Sequence, residues 1–82
     1  MPHIILNDPV NVTVDFNGKS IKPQRVIWDN KAYIMKHVNL VHPANEGNKR
    51  IFYFSVSDDS LFMKLRFDTD SMQWRLVEVY TE

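Results

Sequence analysis

The chain has 82 residues, no cysteine, and ten basic side chains against ten acidic ones. This length favours one domain over residues 1–82, and the missing cysteines exclude disulfide and thiolate chemistry. A net charge of zero gives no reason to expect a nucleic acid or a membrane as partner. No apolar run approaches the roughly 18 residues of a membrane span, and the N-terminus lacks the features of a signal peptide. We therefore expect a cytoplasmic protein that does not contact membranes.

The first strand signals lie in the N-terminal third of the chain. Residues 1–8 are expected to be flexible or to form a short strand. Apolar and polar residues then alternate over Val10–Phe16, as in a half-buried strand. Asn17-Gly18 predicts a type I′ hairpin turn, and a second strand follows over about Lys19–Trp28. Pro23 lies inside that strand and cannot donate a ladder hydrogen bond, which indicates an edge, a bulge or a kink.

The rest of the chain continues the strand pattern. A turn is predicted at Asp29-Asn30, followed by one strand through AYIMKHVNLV. Residues 42–48 combine proline, glycine and charges, which predicts the longest and most mobile loop. Three further strands, RIFYFSV, LFMKLRF and MQWRLVEVYT, are separated by turns at SDDS and DTDS. Six strands with short connections indicate an all-β antiparallel meander, either SH3-like or a partly open small barrel.

Trp28 directly precedes the Asp29-Asn30 turn. We expect its indole to cap one end of the barrel, with Tyr33 across the hairpin and Trp74 on the last strand. A cross-strand aromatic pair of this kind contributes roughly 0.2–1 kcal/mol to stability, which matters in a domain with a thin core.

Patterns for catalysis, cofactors and metals are absent or incomplete. No phosphate-binding fingerprint is present, so we expect no cofactor. His37 and His42 are five residues apart, which places them on opposite faces of a regular strand unless a bulge intervenes. DTDSMQ begins like a calcium loop but lacks the glycine and the final glutamate, so a turn is the better interpretation. We therefore expect no metal site.

The first six residues, MPHIIL, resemble the start of the tautomerase superfamily. In that family, removal of the initiator methionine exposes a proline whose secondary amine acts as a base, so the resemblance implies a catalytic role for Pro2. Those enzymes are built from β-α-β units, whereas this chain continues into another strand with no helix. A Pro2-dependent tautomerase is the alternative to our main hypothesis, which is a protein without enzymatic activity.

The outer face of the last three predicted strands mixes aromatic rings with cations. Strand alternation places Tyr53, Phe62, Lys64, Arg66 and Arg75 on this face. Rings and cations on a sheet can bind single-stranded nucleic acid or a protein partner. The third interpretation is a solvated face, on which the Lys and Arg stems cover the rings. We take these five residues as the candidate site of a non-enzymatic binding module.

Near the end of the chain the alternation fails. Val77 and Val79 are apolar where polar residues are expected, and Glu78 falls on the inner face. Either a bulge near Leu76-Val77 shifts the register, or the final strand is covered on both sides. In the second case Val77, Val79 and Tyr80 would mark the edge of a homodimer.

FNGKSIKPQRVIWDNKAYIMKHV, RIFYFSV and LFMKLRFDTDSMQWRLVEVY, in this order, resemble a small uncharacterised bacterial β domain. The shared pattern is a Pro-x-x-(Val/Phe)-x-Trp stretch, a turn, a tyrosine, an aromatic strand and a closing Trp-x-Leu, and it covers Val14–Tyr80. That domain also occurs fused to the C-terminal end of Y-family polymerase-like proteins. The resemblance implies an accessory module near DNA transactions, without catalytic residues, and it favours the nucleic-acid hypothesis.

Overall fold

The computed structural model describes residues 3–81, which form seven strands and no helix. The strands are β1 (His3–Asn17), β2 (Ser20–Trp28), β3 (Lys31–Ile34), β4 (His37–Glu46), β5 (Lys49–Ser57), β6 (Leu61–Asp68) and β7 (Gln73–Thr81). They form one open antiparallel sheet in the order β3-β2-β1-β7-β6-β5-β4. The all-β antiparallel prediction is confirmed with seven strands rather than six, and an SH3-like form stays a prediction. No helix in the described part of the chain is long and apolar enough to cross a membrane.

A seventh strand is present because the single strand predicted through AYIMKHVNLV is interrupted at Met35-Lys36, which separates β3 from β4. The Met35 amide donates to the carbonyl oxygen of Gln24 (2.8 Å), whereas the Lys36 amide donates to that of Ser57 (2.8 Å). The chain thus leaves β2 and reaches β5 within two residues, and the Met35 side chain is buried in the core. This crossing carries the chain from one edge of the sheet to the other.

The prediction of a long loop over residues 42–48 is wrong. β4 continues to Glu46, and the two-residue turn Gly47-Asn48 connects it to β5. Gly47 has a φ of +61°, a left-handed conformation that glycine adopts at little cost. Pro43 is tolerated inside β4 because β4 is an edge strand, where a missing N–H can face solvent.

Two further hairpin turns lie at or next to their sequence signals. Asp29 and Asn30 both have positive φ, 51° and 63°, which confirms the predicted turn and shows that it is of type I′. The first hairpin differs from the prediction by one residue, because its central residues are Gly18 and Lys19. In this hairpin only Gly18 has a positive φ, 63°, which is the type II′ pattern, so the predicted type I′ turn at Asn17-Gly18 is wrong.

β1 is the strand about which the sheet curls. Residues 3–10 of β1 pair with β7, whereas residues 11–17 pair with β2. Gln24 is an extra residue of β2, so a bulge lies beside Pro23, which was one of the predicted alternatives. The two parts of the sheet enclose one core, whose fully buried side chains include Val26, Val56, Met63, Leu65 and Leu76.

The two tryptophans lie in different parts of the fold. The Trp28 ring lies 6.0 Å from the Tyr33 ring between centroids, so the predicted pair across the hairpin is present. Trp74, the expected third member, packs instead against Phe54 (5.2 Å) and Phe67 (4.6 Å). The aromatic group around Trp28 therefore contains two of the three rings that the sequence predicts.

Candidate binding surface on the outer sheet face

The five predicted site residues lie together on the face of β5, β6 and β7 that points away from the core. Tyr53, Arg66 and Arg75 occupy one row across the three strands. Lys64 lies in the next row and Phe62 in the row after that. We call the surface formed by these three rows, with their continuations in β1 and β4, the outer face. Whether it binds a partner stays a prediction.

β4 and β1 extend the outer face on both sides, and sequence reasoning did not place their residues there. The residues concerned are His37, Leu40 and His42 from β4, and His3 and Ile5 from β1. The contribution of β1 was missed because its pairing with β7 joins opposite ends of the chain, for which a single sequence carries no signal.

Arg66 and Tyr53 share one carboxylate at the β4 side of the outer face. Arg66 Nη2 lies 2.6 Å from Glu46 Oε1, and the Tyr53 hydroxyl donates to Glu46 Oε2 (3.4 Å). Burial by itself would lower the pKa of Arg66, but its hydrogen bonds with Glu46 and Tyr53 together raise that pKa above its ordinary value. Arg66 is therefore already engaged within the chain, and its side chain is only 20% exposed.

Glu78 is the centre of a hydrogen-bonded cluster at the β1 side of the outer face. Its Oε1 accepts a hydrogen bond from the Tyr80 hydroxyl (2.9 Å) and lies 2.9 Å from His3 Nε2. Its Oε2 lies 3.3 Å from Lys64 Nζ. The hydrogen bond from Tyr80, together with those from His3 and Lys64, lowers the pKa of Glu78. The same bond raises the pKa of Tyr80.

Among residues 3–81, Arg75 is the one predicted cation without a carboxylate partner. Its Nη1 donates to the main-chain oxygen of Asn7 (2.9 Å), which is uncharged. This part of the outer face has three cations, at positions 64, 66 and 75, and two carboxylates, at positions 46 and 78. It therefore carries one excess positive charge. This is a small charge for contact with a polyanion.

A bulge brings Glu78 and Tyr80 to the outer face. Leu76 and Glu78 pair with consecutive residues of β6, so Val77 is an extra residue of β7. The bulge alternative is therefore confirmed, and it explains the failed alternation. β7 lies between β1 and β6, so both of its backbone edges are paired. A homodimer through β7 would thus use exposed side chains such as Tyr80.

Apolar and aromatic side chains are exposed around the Lys64–Glu78 pair. Phe62 is 43% exposed and Tyr80 is 38% exposed, although both are large rings in the interior of the sheet. Leu40 and Ile5 continue the central row of the outer face toward its two sides, at 59% and 77% exposure. Aromatic residues and arginine are enriched at protein interfaces, where they serve as anchors.

His37 and His42 lie on the same face of β4. In a regular strand, two residues five positions apart would lie on opposite faces. Asn39 is an extra residue of β4, and this bulge reverses the side-chain direction between the two histidines. Their partners on β5, Ser57 and Tyr53, are four residues apart, which separates the histidines by roughly 13 Å. They are too far apart to bind one ion together. Within the described residues no three metal-ligating side chains form a group.

The calcium-like segment after β6 is a turn, as predicted. Asp68 Oδ1 accepts hydrogen bonds from the main-chain N–H groups of Asp70 (2.9 Å) and Ser71 (3.3 Å). The bond from Asp70 is the largest cause of the lowered pKa of Asp68. Through these local hydrogen bonds the Asp68 carboxylate stabilises its own turn.

Comparison of the chain with family models, with curated proteins and with solved structures finds no match. The resemblance to the bacterial β domain therefore stays a prediction, as do a cytoplasmic location and a homodimer. Pro2, on which the tautomerase alternative depends, lies outside the described residues 3–81.

Proposed function

We propose that this protein is a non-enzymatic binding module whose outer face contacts a protein partner. The observation that supports this most strongly is the exposure of Phe62 and Tyr80 beside an ordered network of ion pairs. Rings held on a rigid sheet lose little conformational entropy on binding, which is why aromatic residues and arginine dominate the energy of protein interfaces.

The charges of the outer face favour a protein over single-stranded nucleic acid. Lys64 and Arg66 are paired with Glu78 and Glu46, so a phosphate would have to displace a carboxylate from each of them. Of the three predicted cations of the outer face, only Arg75 forms no ion pair with another of residues 3–81. We therefore expect a partner surface that carries an apolar patch opposite Phe62 and a carboxylate opposite Arg75.

Photo-crosslinking tests this proposal even though the partner is unidentified. A photoreactive amino acid is placed at position 62 in one variant and at position 16 in a control, because Phe16 is 70% exposed but lies outside the outer face. In the native host, position 62 is expected to give a discrete protein adduct that Arg75→Gln weakens and that position 16 does not give. The same adducts from both positions, or none from position 62, would contradict the proposal.

A salt titration separates the nucleic-acid hypothesis from the protein hypothesis. We expect a labelled single-stranded oligonucleotide to show no appreciable binding at low salt, because the outer face has one excess positive charge. Tight binding that weakens steeply as salt rises would instead indicate phosphate contacts, and it would overturn the choice of a protein partner.

The tautomerase alternative is tested separately. A keto–enol tautomerase assay of the chain and of Pro2→Ala is expected to give no activity in either. Activity that Pro2→Ala abolishes would replace the binding module with an enzyme.

A further inference from the structure

A groove of about 760 Å³ runs along β3 at one end of the curled sheet, away from the outer face. It is lined by β3 and by the turn between β5 and β6. The ends of β1 and β7 complete it. Its apolar lining is formed by Ile4, Trp28, Tyr33, Ile34, Leu61 and Val79. Its volume lies within the range of ligand-binding clefts, and it is open to solvent.

β3 presents unpaired main-chain groups to this groove. In a two-residue hairpin the residues that flank the turn form a hydrogen-bonded pair, here Trp28 and Lys31. Hydrogen-bonded positions alternate along a strand, so the N–H and C=O groups of Ala32 and Ile34 point to the free side. Within residues 3–81, β2 is the only strand that pairs with β3. These four groups therefore have no ladder partner.

The other edge of the sheet is protected against strand addition. β4 contains the bulge at Asn39 and also Pro43, and each interrupts a regular row of main-chain donors. β3 has a regular register with β2 over all four of its residues. Of the two terminal strands of the sheet, β3 is therefore the one with an uninterrupted edge.

The two ends of the groove carry opposite charges. At one end, Lys31 Nζ lies 5.4 Å from the centroid of the Tyr33 ring, and no carboxylate of the described residues pairs with it. At the other end, Lys36 Nζ pairs with Asp59 Oδ2 (2.6 Å), and Asp58 adds a second carboxylate. One ammonium against two carboxylates leaves this end negative. An occupant that matches the groove carries a carboxylate at one end and a cation at the other.

We propose that β3 and this groove bind an extended peptide segment of a partner protein by strand addition. The segment pairs with Ala32 and Ile34, and it places alternate apolar side chains against Trp28, Tyr33 and the other apolar groups of the groove. Its acidic end lies at Lys31, and its basic end lies at Asp58-Asp59. The groove is a second site, separate from the outer face, so the two proposals can fail independently.

A single strand matches the groove better than a second copy of the chain does. A second copy would place its own β3, Lys31–Ile34, along this edge, and that segment has no acidic residue to meet Lys31. It would also bring β2 with it on its other side, so the groove would have to accommodate two strands. A free peptide segment has no such neighbour.

Trp28 reports binding directly. In a Trp74→Phe background the remaining fluorescence comes from Trp28, which lines the groove. The probe is a blocked seven-residue peptide: glutamate, three valines alternating with two threonines, and lysine. Two further peptides carry N-methyl groups on the valine amides only or on the threonine amides only. Because alternate amides point to opposite sides of a strand, we expect one methylated peptide to lose binding and the other to keep it. A one-residue slip cannot rescue binding, since it would turn the valines out of the groove.

Loss of binding by both methylated peptides, or by neither, would overturn strand addition. Failure of the unmethylated peptide to change the Trp28 fluorescence would overturn the site itself. Lys31→Gln is expected to weaken the peptide about two- to fivefold, the range of an exposed ion pair. Lys19→Gln, at a distant turn, is expected to leave the affinity unchanged. A wild-type chain that sediments as a dimer, and that Ile34→Asp converts to a monomer, would assign β3 to a second copy and also overturn the proposal.

Discussion

Replacement of Glu78 by glutamine tests the ion-pair network of the outer face. The carboxylate accepts the Tyr80 hydroxyl at 2.9 Å, lies 2.9 Å from His3 Nε2, and pairs with Lys64 at 3.3 Å. Its side chain is 22% exposed, while those of His3 and Lys64 are 38% and 41% exposed, so each contact is worth only about 0.3–0.5 kcal/mol. We therefore expect Glu78→Gln to lower the free energy of unfolding at pH 7 by about 1 kcal/mol, or the melting temperature by about 4–8 °C.

The sign of the pH dependence follows from the pKa of Glu78. The hydrogen bond from Tyr80 lowers that pKa from its ordinary value of 4.5, so the folded chain favours the ionised carboxylate. The stabilisation is fully present above pH 4.5 and is lost as the pH falls through the lower pKa of the folded state. Wild type and Glu78→Gln should therefore differ at pH 7 and converge in strong acid.

Urea unfolding at several pH values measures this difference. With a slope of about 1 kcal/mol per molar urea, the midpoint at pH 7 is expected to fall by about 1 M in Glu78→Gln, with the slope unchanged. Glu46→Gln is a matched control, because its carboxylate is 50% exposed and should contribute less. An equal loss at pH 7 and in strong acid would show that glutamine disturbs packing, and it would refute the electrostatic explanation.

Changes at three further positions, 65, 47 and 77, test the fold. Leu65→Ala should lower the unfolding free energy by about 2–5 kcal/mol in urea titrations, because Leu65 is fully buried, whereas Leu40→Ala on the exposed edge should change it by under about 0.5 kcal/mol. Gly47→Ala should cost about 1 kcal/mol through its φ of +61° alone, since no atom lies within 4 Å of the added Cβ; a neutral result would contradict the turn conformation. Deletion of Val77 should leave the domain folded by circular dichroism, because Leu76 and Glu78 would then follow each other in a regular strand and keep their partners on β6, whereas deletion of Val79 should destabilise it by turning Tyr80 into the core; an unfolded Val77 deletion variant would contradict the bulge.

The elements that the sequence predicts correctly are those with local causes. The alternation over Val10–Phe16 and the Asp29-Asn30 turn depend on neighbouring residues, and both appear in the structure. The interruption between β3 and β4 at Met35-Lys36 depends on a hydrogen bond from Lys36 to Ser57, twenty-one residues further along the chain. No proline or glycine marks this position in the sequence. Pro43 suggested a loop because proline is rare in strands, but an edge strand tolerates it.

The same distinction between local and long-range causes applies to the candidate site. Alternation placed the rings and cations of β5, β6 and β7 on one face, because side-chain direction is a local property of a strand. The carboxylates that neutralise two of those cations were not predicted. Glu46 was assigned to a loop, and Glu78 was assigned to the inner face because the bulge at Val77 was only one of two alternatives. His3 joins the cluster through the pairing of β1 with β7, which links opposite ends of the chain.

The affinity of the partner captured through position 62 is the most direct test of the binding surface. Calorimetry would compare the wild-type chain with Phe62→Ser and with the control Phe16→Ser. If Phe62 is a central anchor of the interface, its loss should weaken binding about 30-fold, corresponding to about 2 kcal/mol, while Phe16→Ser should bind as wild type does. Unchanged affinity of Phe62→Ser, or equal losses in both variants, would contradict the outer face as the site of contact.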